Sequence, residues 1–180
     1  MSQFIMDWLR SEPIEFRDFA IIAVEIFCFG IVFAAIGFVQ LGKLAGGAMF
    51  TRTYTIREHG LFASAVKMSV FVLGEECLYR YLGLELCIRL FENEWMVLST
   101  ALIISLGFGF APPHNVLPLK TRLAVALGGF LLSLLYLKCG GWQAGNPMKP
   151  LLIVFAAHLW VSGIIVVTFW YYRPDSTQEK

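Results

Sequence analysis

The chain has 180 residues, of which 58% are hydrophobic and only 15% are charged, and its formal net charge is +1. Soluble domains carry about 25% charged residues, so this chain has too few charges to cover a water-facing surface. The near-neutral charge and the lack of a basic stripe argue against a protein that binds nucleic acid. We therefore expect an integral membrane protein, in keeping with a mean hydropathy of +0.69.

The first 19 residues, MSQFIMDWLRSEPIEFRDF, do not resemble a signal peptide. Acidic residues lie near the two arginines, and no small-residue cleavage site follows a short apolar core. Phe4, Ile5, Trp8 and Leu9 predict an amphipathic segment that lies along the membrane surface.

Five apolar segments follow, and they cover roughly residues 18–42, 61–90, 95–111, 120–138 and 150–172. The second is longer than the ~20 residues that a crossing needs, so we expect it to tilt, kink or project from the membrane. Short connectors rich in glycine, proline or charge separate the later segments, and no internal repeat occurs. The sequence predicts one all-α domain over residues 1–180, a polytopic transmembrane helical bundle of about five spans.

The second segment contains three charged residues in apolar surroundings. Glu76 and Arg80 are four residues apart, which places them on the same face of a helix. Glu75 lies about 100° round that helix and is predicted to project elsewhere. Buried charges usually mark a polar cavity or a working site, and a carboxylate without a matched cation suits a general base. The alternative is a purely structural polar cluster.

Two histidines are predicted to lie within the membrane, on different segments. His114 follows Pro112 and Pro113, which stop regular helical hydrogen bonding, so it should stand at a helix break that faces a polar space. Its alternative is a histidine in an interfacial loop. His158 lies within LLIVFAAHLWVSGIIVV and needs a polar partner, for which Ser162 is one turn away. Its alternative is a hydrogen bond that only joins two helices.

These groups together favour hydrolysis of an amide. Glu75 would take a proton from water, His114 would orient or share that proton, and His158 with Ser162 would donate to the developing oxyanion. Zinc is a competing use, but no His-Glu-x-x-His helix occurs, and we expect neither a metal nor another cofactor. Catalysis by a cysteine or serine nucleophile is a weaker alternative, because no histidine adjoins Cys77 or Ser105 in the sequence.

The order of these motifs resembles the CPBP family of intramembrane glutamic proteases, which includes the type II CAAX prenyl endopeptidases and Abi-type bacteriocin-processing proteins. The first family motif, Glu-Glu-x-x-x-Arg, matches the segment from Glu75 to Arg80. The second, Phe-x-x-x-His, matches the segment from Phe110 to His114. The third motif is His-x-x-x-Asn or Asp. His158 matches its histidine, but this chain has Ser162 in place of Asn or Asp, and serine offers a single hydroxyl on a shorter side chain.

The resemblance implies a metal-free protease with a water-filled chamber inside a helical bundle. It assigns the water-activating base to Glu75, with His114 as its catalytic partner, and it places His158 in the oxyanion hole with Ser162 in place of the usual amide donor. It also implies supporting roles for the side chains that hold the site or pack beside it: Glu76, Arg80 and Phe110.

The implied substrate is a membrane-anchored protein or peptide, cleaved near a membrane segment or a C-terminal anchor, in a bacterial or archaeal cytoplasmic membrane. One rival is a non-enzymatic immunity or chaperone-like factor that binds a peptide in the same cavity. Another is a small transporter in which Glu25, Lys67 and Glu75 form an ion path. The sequence leaves the oligomeric state open.

Overall fold

The computed structural model describes residues 6–9, 60, 62–91, 93–111, 114, 117, 119–140 and 147–171. In this part of the chain every regular element is a helix and no strand occurs, which confirms the predicted all-α class. The predicted first span at residues 18–42 lies outside the described residues, as do Phe4, Ile5 and Glu25.

The first long helix, α1, has continuous helical backbone over residues 62–90. Residues 62–76 are α-helical, Cys77–Leu84 form a π-helix, and Glu85–Leu90 return to the α-helix. In the π-helical segment the Glu85 backbone N–H donates to the Arg80 carbonyl, five residues earlier. Such segments place one more residue in a helical turn and occur often at functional sites. The predicted span at 61–90 is therefore one helix with an irregular middle.

Three further helices follow, namely α2 (Glu94–Phe110), α3 (Leu119–Lys138) and α4 (Met148–Tyr171). Each begins and ends within two residues of a predicted apolar segment. Asn93 caps α2, because its side-chain oxygen accepts a 2.9 Å hydrogen bond from the Trp95 backbone N–H. After α3 the chain turns at Gly140, whose φ of 109° favours a residue without a Cβ.

Helices α2 and α3 cross at very short range. A Cβ atom at Gly109 would lie 2.5 Å from the Arg122 carbonyl oxygen and 2.7 Å from the Ala126 Cβ, so only glycine fits. Side chains from all four helices and from residues 6–9 form the apolar core: Met6, Leu9, Leu84, Val97, Ala101, Tyr136, Leu137, Leu151 and Val154.

The N-terminal helical turn at residues 6–9 packs into this core. Met6 and Leu9 are only 2% and 6% exposed. The Lys138 Nζ donates a 2.7 Å hydrogen bond to the Trp8 carbonyl oxygen, which fixes the turn at the end of α3. The prediction that Leu9 lies along the membrane surface is therefore wrong, because the protein's own core covers its apolar side chain. Trp8 remains 40% exposed.

Among the described helices, Leu119–Lys138 is the one long and apolar enough to cross a membrane by length and composition, with a mean hydropathy of 1.4. Glu94–Phe110 and Met148–Gly163 are shorter apolar helical stretches. Large apolar side chains also lie on the outer face of α1, where Phe62 is 83% and Val70 is 67% exposed.

Candidate functional site

A buried ion pair lies at the start of the π-helical segment. Arg80 Nη1 donates to Glu76 Oε1 at 3.2 Å, and the two side chains are 1% and 0% exposed. The predicted pairing of these two residues is thus present. Two charges removed from water cost several kcal/mol each unless further hydrogen bonds offset the loss. The surroundings of the pair must therefore supply those bonds.

Helix α3 supplies one of them through its backbone. Arg80 Nη2 donates a 2.8 Å hydrogen bond to the Gly129 carbonyl oxygen, which also accepts from the Ser133 hydroxyl at 3.0 Å. The guanidinium carbon lies 5.3 Å from the centre of the Phe108 ring, within cation–π range. Gly129 itself has no room for a larger residue, since a Cβ there would lie 3.0 Å from Phe108 Cδ1.

Helix α4 supplies the second bond through His158. Its Nδ1 lies within hydrogen-bond range of Glu76 Oε1, at 2.6 Å, and its Nε2 lies 3.8 Å from Glu75 Oε2. The imidazole ring therefore lies between two adjacent glutamates. Helix geometry allows Glu75 to project in a different direction from Glu76, and both approach the same ring because imidazole has two nitrogens on different edges. His158 thus contacts Glu76 and Glu75, and its pairing with Ser162 stays a prediction.

The side chains of Glu75 and His158 are not fully enclosed. They are 11% and 12% exposed, whereas Glu76 is fully buried. Part of the Glu75 and His158 side chains is thus accessible, unlike the ion pair beside them. Ser162 is 7% exposed and lies one turn beyond His158 on α4, where its role in an oxyanion hole remains a prediction.

His114 lies in the turn after α2 and is 9% exposed. Its Nδ1–H donates to the Phe108 carbonyl oxygen at 2.9 Å. Its backbone N–H donates to the Ala111 carbonyl, and its own carbonyl accepts from the Leu117 N–H at 3.0 Å. Arg122 extends this series, since its Nε–H donates to the Leu117 carbonyl at 2.8 Å. The turn that carries His114 is therefore fastened to the start of α3.

Phe108 is the residue that brings the two histidines together. Its ring centre lies 5.0 Å from that of His114 and 5.9 Å from that of His158, both in edge-to-face arrangements. The predicted packing residue, Phe110, is instead 42% exposed and lies 5.8 Å from the Arg122 guanidinium carbon. Phe108 lies on the buried face of α2. The small side chains of Ala101 and Ser105 mark the same face, and they could have identified Phe108 as buried from the sequence.

Two polar atoms of the ion pair lack hydrogen-bond partners in the described part of the chain, namely Glu76 Oε2 and Arg80 Nε. No group of three or more His, Cys, Asp or Glu side chains within the described ranges is arranged to hold a metal ion.

The site thus joins three helices through one continuous set of contacts. Gly129 on α3 bonds Arg80, Arg80 bonds Glu76 on α1, and Glu76 bonds His158 on α4. Glu75 faces the far edge of the His158 ring. No protein-family model, curated protein or solved structure matches this chain.

Proposed function

We propose that the chain is an integral membrane protein of about five spans, placed in a bacterial or archaeal cytoplasmic membrane. The support is its low charge, its long apolar segments and the helix Leu119–Lys138, which has the length and composition of a crossing. Exposed apolar side chains on α1, such as Phe62 and Val70, suit a lipid environment better than water.

We further propose that it is a metal-independent endopeptidase of the glutamic type, similar to the CPBP proteases. The observation that carries this proposal is the 3.8 Å approach of Glu75 Oε2 to His158 Nε2 at the accessible edge of a buried ion pair. This approach brings the proposed base, Glu75, and a proposed oxyanion donor, His158, to one place. Glu76 and Arg80 keep the pair in place, because neither can leave its buried contacts cheaply.

In the proposed reaction, Glu75 takes a proton from water while the water oxygen attacks the carbonyl carbon of a peptide bond. His114 shares that proton, and His158 together with the hydroxyl of Ser162 donates to the oxyanion. The proton then passes to the leaving nitrogen as the carbon–nitrogen bond breaks. The site lies among apolar helices, so the fitting substrate is a membrane-anchored protein or peptide, cleaved next to its membrane segment or C-terminal anchor.

The test compares wild type with Glu75→Gln in bacterial membranes that also carry tagged proteins with C-terminal membrane anchors. Glu94→Gln is the matched control, because Glu94 lies in the first turn of α2 and outside the cluster. Cleavage should be lost in Glu75→Gln and kept in the control, with equal amounts of folded protein in detergent. Loss of folded Glu75→Gln would instead favour a structural cluster.

A non-enzymatic peptide-binding factor is the second candidate, favoured by the low exposure of Glu75 and His158, 11% and 12%. A binding factor has no need for water at these groups. It would bind a tagged peptide equally well as wild type and as Glu75→Gln, and it would release no cleaved product. Cleavage by wild type alone would exclude it.

A further inference from the structure

We propose that Phe108 is a positioning residue of the candidate site, which holds His114 and His158 in place through its ring and its carbonyl group. This proposal rests on the proposed function, because it assigns a role within the same hydrolytic site. It goes beyond the family resemblance, which implies a packing role for Phe110 instead.

The ring of Phe108 is a wall that both histidines share. Its centre lies 5.0 Å from the centre of the His114 ring, with an interplanar angle of 65°, and 5.9 Å from the centre of the His158 ring, with an angle of 83°. Aromatic rings prefer such edge-to-face arrangements over stacking face to face. The two imidazoles come from the turn after α2 and from α4, so a displaced Phe108 ring would release both of them.

The backbone of Phe108 holds His114 a second time. His114 Nδ1 donates to the Phe108 carbonyl oxygen at 2.9 Å, since a carbonyl oxygen can only accept. The same oxygen also accepts from the Ala111 backbone N–H at 3.2 Å. The last carbonyl groups of an α-helix have no partners within the helix, so the His114 side chain caps the C-terminal end of α2. Ring packing and this hydrogen bond together leave the His114 side chain little freedom to turn.

Phe108 is itself held from two further sides, and it is only 4% exposed. On α1, the Tyr79 ring packs edge-to-face against it at 5.1 Å, and the Arg80 guanidinium carbon lies 5.3 Å from its ring centre. On α3, Gly129 leaves the room that the ring needs, because a Cβ there would lie 3.0 Å from Phe108 Cδ1. The ring therefore fixes the two histidines relative to the buried ion pair.

The consequence for the proposed reaction is geometric. His114 and His158 act on one peptide bond from different segments, so their relative position limits the rate of the chemical step. Phe108 is buried, so it acts through the two histidines and not on the substrate. Leucine at this position would keep an apolar side chain on α2 but would remove the flat ring that both imidazoles face.

The first experiment is proton NMR of the full chain in lipid nanodiscs, with protons kept only on the phenylalanine and histidine rings. The chain has 3 histidines and 16 phenylalanines, and His114→Gln and His158→Gln assign two of the histidines by loss of their signals. We expect one phenylalanine ring with cross-peaks to both histidines. These cross-peaks should disappear in Phe108→Leu and persist in Phe110→Leu. A wild-type spectrum without a shared phenylalanine ring would overturn the proposal, even where a variant fails to fold.

Cleavage of an anchored substrate gives the second readout. We expect Phe108→Leu to lower kcat by about 10- to 100-fold with little change in KM, because misplaced histidines impair the chemical step and not binding. Phe91→Leu is the matched control, since Phe91 packs against the core between α1 and α2, outside the site, and it should keep the wild-type kcat. Phe110→Leu should impair cleavage less than Phe108→Leu. A wild-type kcat in folded Phe108→Leu, or a larger loss in Phe110→Leu, would overturn the proposal.

A second variant separates position from stability. Val97 is a core residue on the same helix as Phe108 and is 3% exposed, so Val97→Ala should lower the unfolding midpoint without moving either histidine. We expect wild-type histidine signals and wild-type kcat in the folded fraction of Val97→Ala. An equal loss of kcat in folded Val97→Ala and Phe108→Leu would mean that Phe108 acts through stability alone, and it would overturn the proposal.

Failure of this proposal and failure of the hydrolytic function can be told apart. Cleavage by a wild type in which no phenylalanine ring contacts both histidines would refute the positioning role of Phe108 alone. A shared ring without cleavage of any anchored substrate would refute the hydrolytic function, and the catalytic consequence of Phe108 with it.

Discussion

Arg80 and Arg89 make the same contact on α1 in opposite surroundings. Each donates to a glutamate four residues earlier at 3.2 Å, but Arg80 is 1% exposed and Arg89 is 61% exposed. We expect Arg80→Met to lower the free energy of unfolding by about 3–5 kcal/mol, since it leaves Glu76 buried without its cation. Arg89→Met should cost less, because Arg89 is itself exposed and the Tyr136 hydroxyl still donates to the buried Glu85 carboxylate. Unfolding midpoints in mixed detergent measure both effects. An equal decrease of the midpoint in the two variants would contradict this expectation.

Gly128 and Gly129 provide a second residue-scale comparison on α3. A Cβ at Gly129 would lie 3.0 Å from Phe108 Cδ1 and 3.5 Å from Arg80 Nη2, whereas one at Gly128 meets nothing within 4 Å. We expect Gly129→Ala to destabilise the protein by about 1–3 kcal/mol through overpacking. Gly128→Ala should stabilise it by about 0.5–1 kcal/mol through helix propensity. Thermal unfolding of the two variants in the same detergent measures both signs.

Cys139 gives an expectation for pH. Burial raises the pKa of its thiol to about 11, and its side chain is 1% exposed. Because the thiolate is the reactive form, Cys139 should resist maleimide near neutral pH and react only as the pH approaches 11 or the protein unfolds. The folded state holds this proton more tightly than the unfolded state, so the thiol's contribution to stability is present at low pH and is lost above the unfolded pKa. Mass spectrometry of labelled peptides checks the rate, and rapid labelling of Cys139 in folded protein near neutral pH would contradict it.

At the scale of elements, the apolar runs and their glycine and proline boundaries were enough to predict α1 to α4 within two residues of their observed ends. They were not enough to predict which faces meet. The π-helical segment Cys77–Leu84, the approach of Glu75 and Glu76 to one ring, and the choice of Phe108 over Phe110 all depend on packing between helices. The stripe that Phe108 forms with Ala101 and Ser105 is a signal within α2 itself, but the pattern within one helix carries no signal for its contacts with another helix.

The described residues of the turn after α2 are hydrogen-bonded to a side chain at the start of α3. Arg122 at the start of α3 donates to the Leu117 carbonyl, and Leu117 in turn donates to His114. We expect Arg122→Gln to lower cleavage activity several-fold while the unfolding midpoint changes little, because the turn loses a tether and the core loses nothing. Faster hydrogen exchange at the Leu117 amide would accompany it. Lys120→Gln, an exposed change two residues away, is the control and should alter neither.

At the scale of the whole molecule, the proposed bilayer decides what the exposed apolar side chains face. Leu123 and Leu127 on α3 are 48% and 53% exposed, and Lys120 marks the start of the same helix. If this helix crosses the membrane, Leu123→Cys and Leu127→Cys should resist a membrane-impermeant maleimide in intact vesicles, since lipid covers them. Lys120→Cys should react when the reagent is added on its side of the membrane. In detergent all three should become more accessible. Equal labelling of the three sites in vesicles would show that α3 lies in water, and the apolar face of α1 would then need a protein partner rather than lipid.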